Sequence, residues 1–548
     1  MKYIFLVAGL LVHLYATSQT TVTNADVQTT EKLFGLSFSA AKRDSMLGVL
    51  SDRIKAYSYF HNNNLSNDVA FPLWYNPVLP GMTVPKKQLP VHFSIPDNVA
   101  MPANRNDLAF YSIPQLASLL KHKKISSEAL TRFFIERLKK YGPTLHCVIE
   151  ITETTAIAQA QKEDAEIAHG NYRGPLHGIP YGIKDLFAVK GTHTTWGTPP
   201  YKSQEINQTA FVAEQLEKAG AVLVAKLSLG ELAMDDVWFG GQTRNPWDTS
   251  KGSGGSSAGS AAATAAGLVP FAIGTETYGS IVDPSMRCGT TGLRPTYGSI
   301  AKTGAMNLAW TSDKIGPICR SAEDAAIVFH YIHGADKTDA SSIQAAFNYT
   351  GKVNIRNLKI AYAKNYIDSL PDNSTEKQTL MVLKKMGAIL TPFDFPDDLH
   401  GDEILGLIIC AEAAAAFDPL TRSSKDDEMV QQNKDRWPNI FRAARFIPAV
   451  EYINACRLRY QIMKKMSPLI NQFDIIIAPP ETGDQLAITN LTGNPSVTVP
   501  NGILPNGLPA SISFIGKHFG EATLMAFTKA YQEYTGFHLK HPRQFVGQ

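Results

Sequence analysis

The sequence predicts an α/β fold preceded by a helical N-terminal extension, and three observations carry that expectation. Short β-branched runs at 148–152, 221–225, 358–362 and 475–478 read as buried strands, with helical patterns such as 209–219 between them. Of the 548 residues 44% are apolar and 18% charged, with 40 glycines and 32 prolines. That is ordinary globular usage, which excludes collagen, coiled coil and a disordered chain and leaves ample material for a core. No segment repeats at the period of roughly 20 to 50 residues that marks solenoids and propellers.

The elements follow in order. Met1 and Lys2 precede the apolar run from Tyr3 to Val12, and Ala16-Thr17-Ser18 supplies small residues for cleavage, so residues 1–18 read as a secretory leader. The run is shorter than the ~20 apolar residues that span a bilayer, which predicts a secreted or periplasmic protein without stable membrane insertion. Residues 19–106 read as a helical and irregular extension, in which Met46, Leu47, Leu50, Ile54 and Tyr57 recur every three to four positions ahead of a Pro- and Asn-rich stretch. The main domain is expected at 107–540. It opens on Ser112, an N-cap with Pro114 in the first turn, and on a helix over 126–140 whose Leu130, Phe133, Phe134 and Leu138 share one face before Gly142. Residues 336–467 are richer in charge and helix formers and read as a peripheral helical region.

The charge balance, 52 basic against 49 acidic residues or +3, hides no long run of one sign and points away from nucleic acid and toward a small-molecule partner. Five widely spaced cysteines without a C-x-x-C pair indicate neither a zinc site nor a disulfide scaffold. No metal and no organic cofactor are expected.

The segment that carries chemistry begins at Lys251-Gly252-Ser253-Gly254-Gly255-Ser256-Ser257-Ala258-Gly259-Ser260 and runs into an alanine stretch ending at Gly267. A flexible linker is seldom followed at once by a capped helix. A phosphate loop would need a lysine that G-x-x-x-x-G-K-[ST] requires and this stretch lacks. A strand expected at 269–274 then leads to Thr275-Glu276-Thr277-Tyr278-Gly279-Ser280-Ile281, where a serine after a glycine turn can be an exposed nucleophile beside free backbone N–H groups.

These two segments resemble the hallmark and nucleophile segments of the amidase signature family. Gly174-Pro175-Leu176-His177-Gly178-Ile179-Pro180-Tyr181-Gly182-Ile183-Lys184-Asp185 is similar to the segment bearing that family's catalytic lysine. Gly191 to Thr195, Asn245-Pro246-Trp247, Gly292-Leu293-Arg294-Pro295-Thr296 and Gly493 to Val497 add further matches over about residues 107 to 540. The resemblance implies a mixed central sheet covered by helices on both faces. It also implies a Ser-cisSer-Lys triad: Ser280 as nucleophile, Ser256 as the bridging serine on a cis peptide bond, Lys184 as base. The N–H groups of Thr277, Tyr278, Gly279 and Ser280 would form the oxyanion hole, and Gly255, Ser257, Tyr278 and Asp283 would meet the substrate.

Physical chemistry sets what such a lysine needs. Free lysine titrates near 10.4, so at pH 7 only about 0.04% is neutral, and burial must lower it by roughly three units, about 4 kcal/mol. Ile179, Pro180, Ile183, Leu186 and Phe187 are apolar neighbours suited to that; the competing reading is a surface lysine paired with Asp185. Where many members of the family have glycine and arginine this chain has Tyr278 and Val282, and Asp283 adds a charge beside the nucleophile. Tyr278 is expected to narrow the acyl pocket. A rival Ser-His-Asp arrangement would draw on His177 or His193. The leading expectation is an exported amidase acting on a small-molecule amide. The alternatives are a catalytically inactive amidase-fold periplasmic binding protein and an amidotransferase A-type component.

Overall fold

The computed structural model describes residues 22–62, 66–69, 73 and 75–546. Its strands are β1 (Val148–Ile151), β2 (Pro180–Lys184), β3 (Val222–Leu227), β4 (Val237–Trp238), β5 (Gly241–Gln242), β6 (Ala272–Glu276), β7 (Thr291–Arg294), β8 (Lys314–Cys319), β9 (Ile360–Ala363), β10 (Leu390–Phe393), β11 (Ile475–Ala478), β12 (Ser496–Ile503) and β13 (Pro509–Gly516). Eleven of them form one mixed sheet in the order β1-β3-β2-β6-β8-β7-β12-β13-β11-β9-β10, and β4 pairs with β5 in a small ribbon. At the centre of the functional half, β2 runs parallel to both β3 and β6, while β6 and β8 are antiparallel.

Both faces of the sheet are covered, as the period-two alternation of strand side chains requires. Neighbouring residues of β6 enter different apolar clusters: Ile273 joins Tyr181, Ile183 and the helix Ala322–Ile332, whereas Ala272 joins Val222, Val224, Leu227 and the alanines of the helix Ala258–Ala265.

Several boundaries move for local reasons. The strand expected at 269–274 lies at Ala272–Glu276, because Pro270 cannot donate to a ladder. The helix expected over 126–140 continues through Gly142 and Pro143 as Ser127–Leu145 and ends at His146 in the left-handed region, φ 49°. β2 has no sequence signal, since it opens on proline and contains Gly182; a Cβ there would lie 2.4 Å from Leu227 Cδ1 on β3.

The chain divides into two units, Met1–Leu65 and Ser66–Gln548. In the first, the helices Asn24–Glu31 and Ala40–Asn62 are joined by a buried ion pair in which Arg43 Nε donates to Glu31 Oε1 at 2.9 Å. The segment 66–106, expected with the extension, packs in the larger unit: Asn67 Nδ2 donates to the carbonyl of Asn307 at 2.8 Å and His92 N to that of Tyr349 at 2.9 Å. The region 336–467 supplies β9 and β10, the last two strands at one edge of the sheet, as well as the helices Gly401–Ala416 and Trp437–Ala444 and most of Ala449–Ile470, so it is not wholly helical. The leader expected at 1–18 lies outside the described residues, and no helix among those described is long and apolar enough to cross a membrane. All five cysteines are unpaired.

Candidate active site

Parallel pairing of β2 and β6 sets their C-terminal ends side by side, with Ile183 opposite Ile273. Lys184 closes β2. Tyr181 and Ile183 use one face for the core, so alternation turns Lys184 to the other, where it is fully buried. Its Nζ lies within hydrogen-bond distance of three hydroxyls, Ser256 Oγ at 2.9 Å, Thr275 Oγ1 at 2.9 Å and Ser257 Oγ at 3.1 Å. Burial pulls its pKa from 10.5 down to about 7, against the opposing pull of the Asp313 and Glu276 carboxylates. The surface pairing with Asp185 does not occur. Asp185 points to the other side and is matched by Lys226, whose Nζ lies 2.6 Å from Asp185 Oδ1 with both side chains fully buried.

The Gly/Ser stretch passes in front of this amine. Its Gly255–Ser256 peptide is cis, and Gly255 admits no side chain, because a Cβ would lie 1.7 Å from the Asp235 carbonyl oxygen. The N–H of Gly255 donates to Asp283 Oδ2 at 2.8 Å, and Ser256 is almost completely buried. Ser257, expected at the substrate, is buried beneath the site: its Oγ accepts from Thr275 N at 3.1 Å and donates to Thr275 O at 3.0 Å. It therefore braces Lys184 against β6 instead of lining the pocket.

Beyond β6 the chain turns through Gly279, φ 86°, to Ser280 and the helix Val282–Cys288. Ser280 is 8% exposed, against 0% for Lys184, so of the two its side chain stands nearer solvent. Its carbonyl oxygen accepts from Ser257 N at 3.1 Å, which ties the turn at residues 277–280 to the Gly/Ser stretch. The N–H groups of Thr277, Tyr278, Gly279 and Ser280 have no hydrogen-bond partner among the described residues, as donors reserved for an incoming oxygen would be. Thr277 Oγ1 donates to Asp313 Oδ1 at 2.6 Å.

At the positions where the sequence departs from the family pattern, Tyr278 donates its hydroxyl hydrogen to Asp402 Oδ1, in the first turn of the helix Gly401–Ala416. Asp283 holds the Gly255 N–H with one oxygen and accepts from Arg287 Nε, one helical turn on, at 2.5 Å with the other. Burial raises the Asp283 carboxyl above its usual range, with Arg287 opposing. Its charge is thus matched locally and spent on loop geometry.

Neither histidine of the rival arrangement touches Ser280. His177 is buried with Nε2 2.6 Å from Glu163 Oε2, and its Nδ1 accepts from Arg173 N at 3.0 Å. The Glu163, Glu166 and His177 group, although spaced like metal ligands, has a cation of its own in the Arg173 guanidinium, whose Nη2 lies 3.2 Å from Glu163 Oε2 and also pairs with Glu166 Oε2. His193 faces Glu150 and Glu205 at the surface. Under the turn lies a buried polar layer that no motif announces. Glu276 and Arg294 pair at 2.9 Å, both fully buried, and Asn490, Asp313 and Lys314 join them. Glu276 and Arg294 do lie inside the recognised motifs, but no local pattern tells that a buried charge there faces its partner.

The amidase family profile matches residues 129–525. The chain is 32% identical over 481 residues to the A component of the glutamyl-tRNA(Gln) amidotransferase of Geobacillus kaustophilus, covering 79% of this chain and 99% of that protein. Among solved structures it is similar to the native peptide amidase of Stenotrophomonas maltophilia, at 27% identity and a TM-score of 0.69, over 79% of this chain and 98% of the other. A bacterial aryl acylamidase of the amidase signature enzymes, 22% identical with a TM-score of 0.69 over 80% of this chain and 97% of the other, shares the fold. The chain is an amide-hydrolysing enzyme of the amidase signature family.

Proposed function

We propose that the protein is an exported amidase that hydrolyses a small-molecule carboxamide through an acyl-enzyme on Ser280. The observation that carries this reading is the fully buried Lys184 amine, 2.9 Å from the Ser256 hydroxyl and held near neutrality by burial. A neutral amine can take a proton; a charged one cannot. Ser280 Oγ attacks the carbonyl carbon as its proton passes to Ser256, whose own proton passes to Lys184. The oxyanion receives hydrogen bonds from the N–H groups of residues 277–280. Collapse breaks the C–N bond, and the departing amine takes a proton from Ser256, resupplied by Lys184. Water then repeats the sequence on the ester, releasing the acid and restoring Ser280. No metal or organic cofactor is needed for any of these steps.

A fluorophosphonate probe tests the assignment: Ser280 is expected to be labelled, and Ser280→Ala, Ser256→Ala and Lys184→Ala to lose amide turnover. Full hydrolysis by all three variants would refute it. Export is supported by the leader pattern at 1–18, and N-terminal sequencing of the mature protein from a producing cell is expected to begin near residue 19. The 32% identity to a component of a glutamyl-tRNA(Gln) amidotransferase supports a second reading, in which the chain works within a tRNA-dependent amidotransferase. Co-purification with further proteins of such a complex, together with activity only in their presence, would favour it; turnover of simple amides or peptide amides by the isolated chain favours the first.

A further inference from the structure

The nucleophile turn is gripped at both of its ends and left free in the middle. On the far side of Ser280, the N–H groups of Ile281 and Val282 both donate to Glu276 Oε2, at 2.9 and 3.1 Å. On the near side, the carbonyl of Thr277 accepts from Lys314 Nζ at 3.3 Å and its hydroxyl is held by Asp313. Between the grips lie the four unpartnered N–H groups. Glu276 is itself immobilised: its other oxygen accepts from Arg294 Nη1 at 2.9 Å and from Asn490 Nδ2 at 3.1 Å, which brings β7 and the helix Gln485–Thr492 to bear on the turn. The side chain is fully buried, and all four of its contacts are donors.

We propose that Glu276 is a positioning residue of the hydrolytic reaction, holding Ser280 and the oxyanion donors in register by fixing the two N–H groups that follow the nucleophile. The inference rests on the assignment of Ser280 made above. A carboxylate so near a developing oxyanion would oppose it if unmatched. Arg294, paired with it at 2.9 Å, supplies the opposite charge, and the Glu276 carboxyl is pulled down to about 2 despite its burial, ionised throughout the working range. Only a carboxylate serves all four donors. An amide has one acceptor oxygen, so in Glu276→Gln one pair of donors must face an NH2 group.

The test uses the full chain and three readouts: steady-state kinetics on a simple amide, the rate of Ser280 labelling by a fluorophosphonate, and the affinity for an aldehyde that forms a tetrahedral adduct. Glu276→Gln is expected to keep KM within about threefold while kcat, the labelling rate and aldehyde affinity each fall on the order of 10², the size of a lost oxyanion donor. Glu276→Asp, which keeps both oxygens, is expected to recover part of each. A kcat within threefold of the parent in folded Glu276→Gln overturns the proposal. So does a loss that merely follows the fraction of folded protein while aldehyde affinity per folded molecule stays unchanged. Should the position 276 variants not fold, Asn490→Ala, which removes one of the four donors, is judged by the same criteria with a smaller expected loss. If the parent is not labelled at Ser280, the assignment beneath the proposal fails first. Labelling of parent and variant at equal rates defeats the proposal alone.

Discussion

Lys184 and Ser256 are joined by a hydrogen bond of 2.9 Å although they lie 72 positions apart, one at the end of a central strand and the other on the Gly/Ser stretch that crosses it. In the proposed reaction this relationship makes the lysine's protonation state the quantity on which activity turns, and the first expected outcomes follow from it.

In the proposed mechanism the base must be neutral to accept a proton, and burial brings the Lys184 amine down to about 7. kcat/KM is therefore expected to rise about tenfold per pH unit below that value and to level off above it. A pH profile on a neutral amide substrate checks this. A flat profile from pH 5 to 9 would contradict it.

The same shift makes Lys184 a burden on the fold. The charged amine is disfavoured inside, so this group costs nothing above pH 10.5, the cost grows as the pH falls, and it is constant below about 7, where it amounts to about 5 kcal/mol. Lys184→Met removes it, together with hydrogen bonds whose loss does not depend on pH. The Tm of Lys184→Met relative to the parent is expected to increase between pH 10 and pH 7. Calorimetry across that range decides, and a constant difference counts against burial as the cause.

Lys226→Met strands the fully buried Asp185 carboxylate, which Lys226 matches at 2.6 Å. Breaking such a pair from one side costs about 3 to 5 kcal/mol, whereas removing both charges costs far less. The double variant Asp185→Asn, Lys226→Met is expected to regain most of the stability lost in the single one, measured as denaturant midpoints at a common slope. Equal instability of the two would rule out the charge as the cause.

Asp283 carries the Gly255 N–H at 2.8 Å. Asp283→Ala leaves that donor beside the cis serine without its partner, a loss of about 1.5 to 3 kcal/mol for a charged acceptor, or roughly 10- to 100-fold in kcat/KM. Asp283→Asn keeps an acceptor oxygen and is expected to lose less. The ordering of the two, read from kcat/KM, is the check.

Tyr278 stands on the turn that leads into Ser280 and reaches Asp402 with its hydroxyl. Tyr278→Gly is expected to change the ranking of a panel of amides with acyl chains of increasing size, since it opens space beside Ser280 and releases the helix Gly401–Ala416 from the turn. An unaltered ranking would remove Tyr278 from the pocket.

The linear order of residues was sufficient for the family, for the α/β class, and for bringing Lys184, Ser256 and Ser280 under suspicion, because each sits in a run of glycine, serine or proline whose backbone demands are local. Gly255 is one such demand. Strands with continuous apolar runs, such as β11, were legible for the same reason, whereas β2, with its proline and glycine, was not, since its strand geometry comes from β3 and β6 on either side. Tertiary structure alone decided that Ser257 braces the lysine, that Asp185 belongs to Lys226, that His177 closes a network with Glu163 and Arg173, and that Glu276 commands the turn. All of these are pairings between buried polar groups, in which the low dielectric forces each charge to find a partner. Which partner it finds depends on how distant segments pack, and spacing along the chain does not record it.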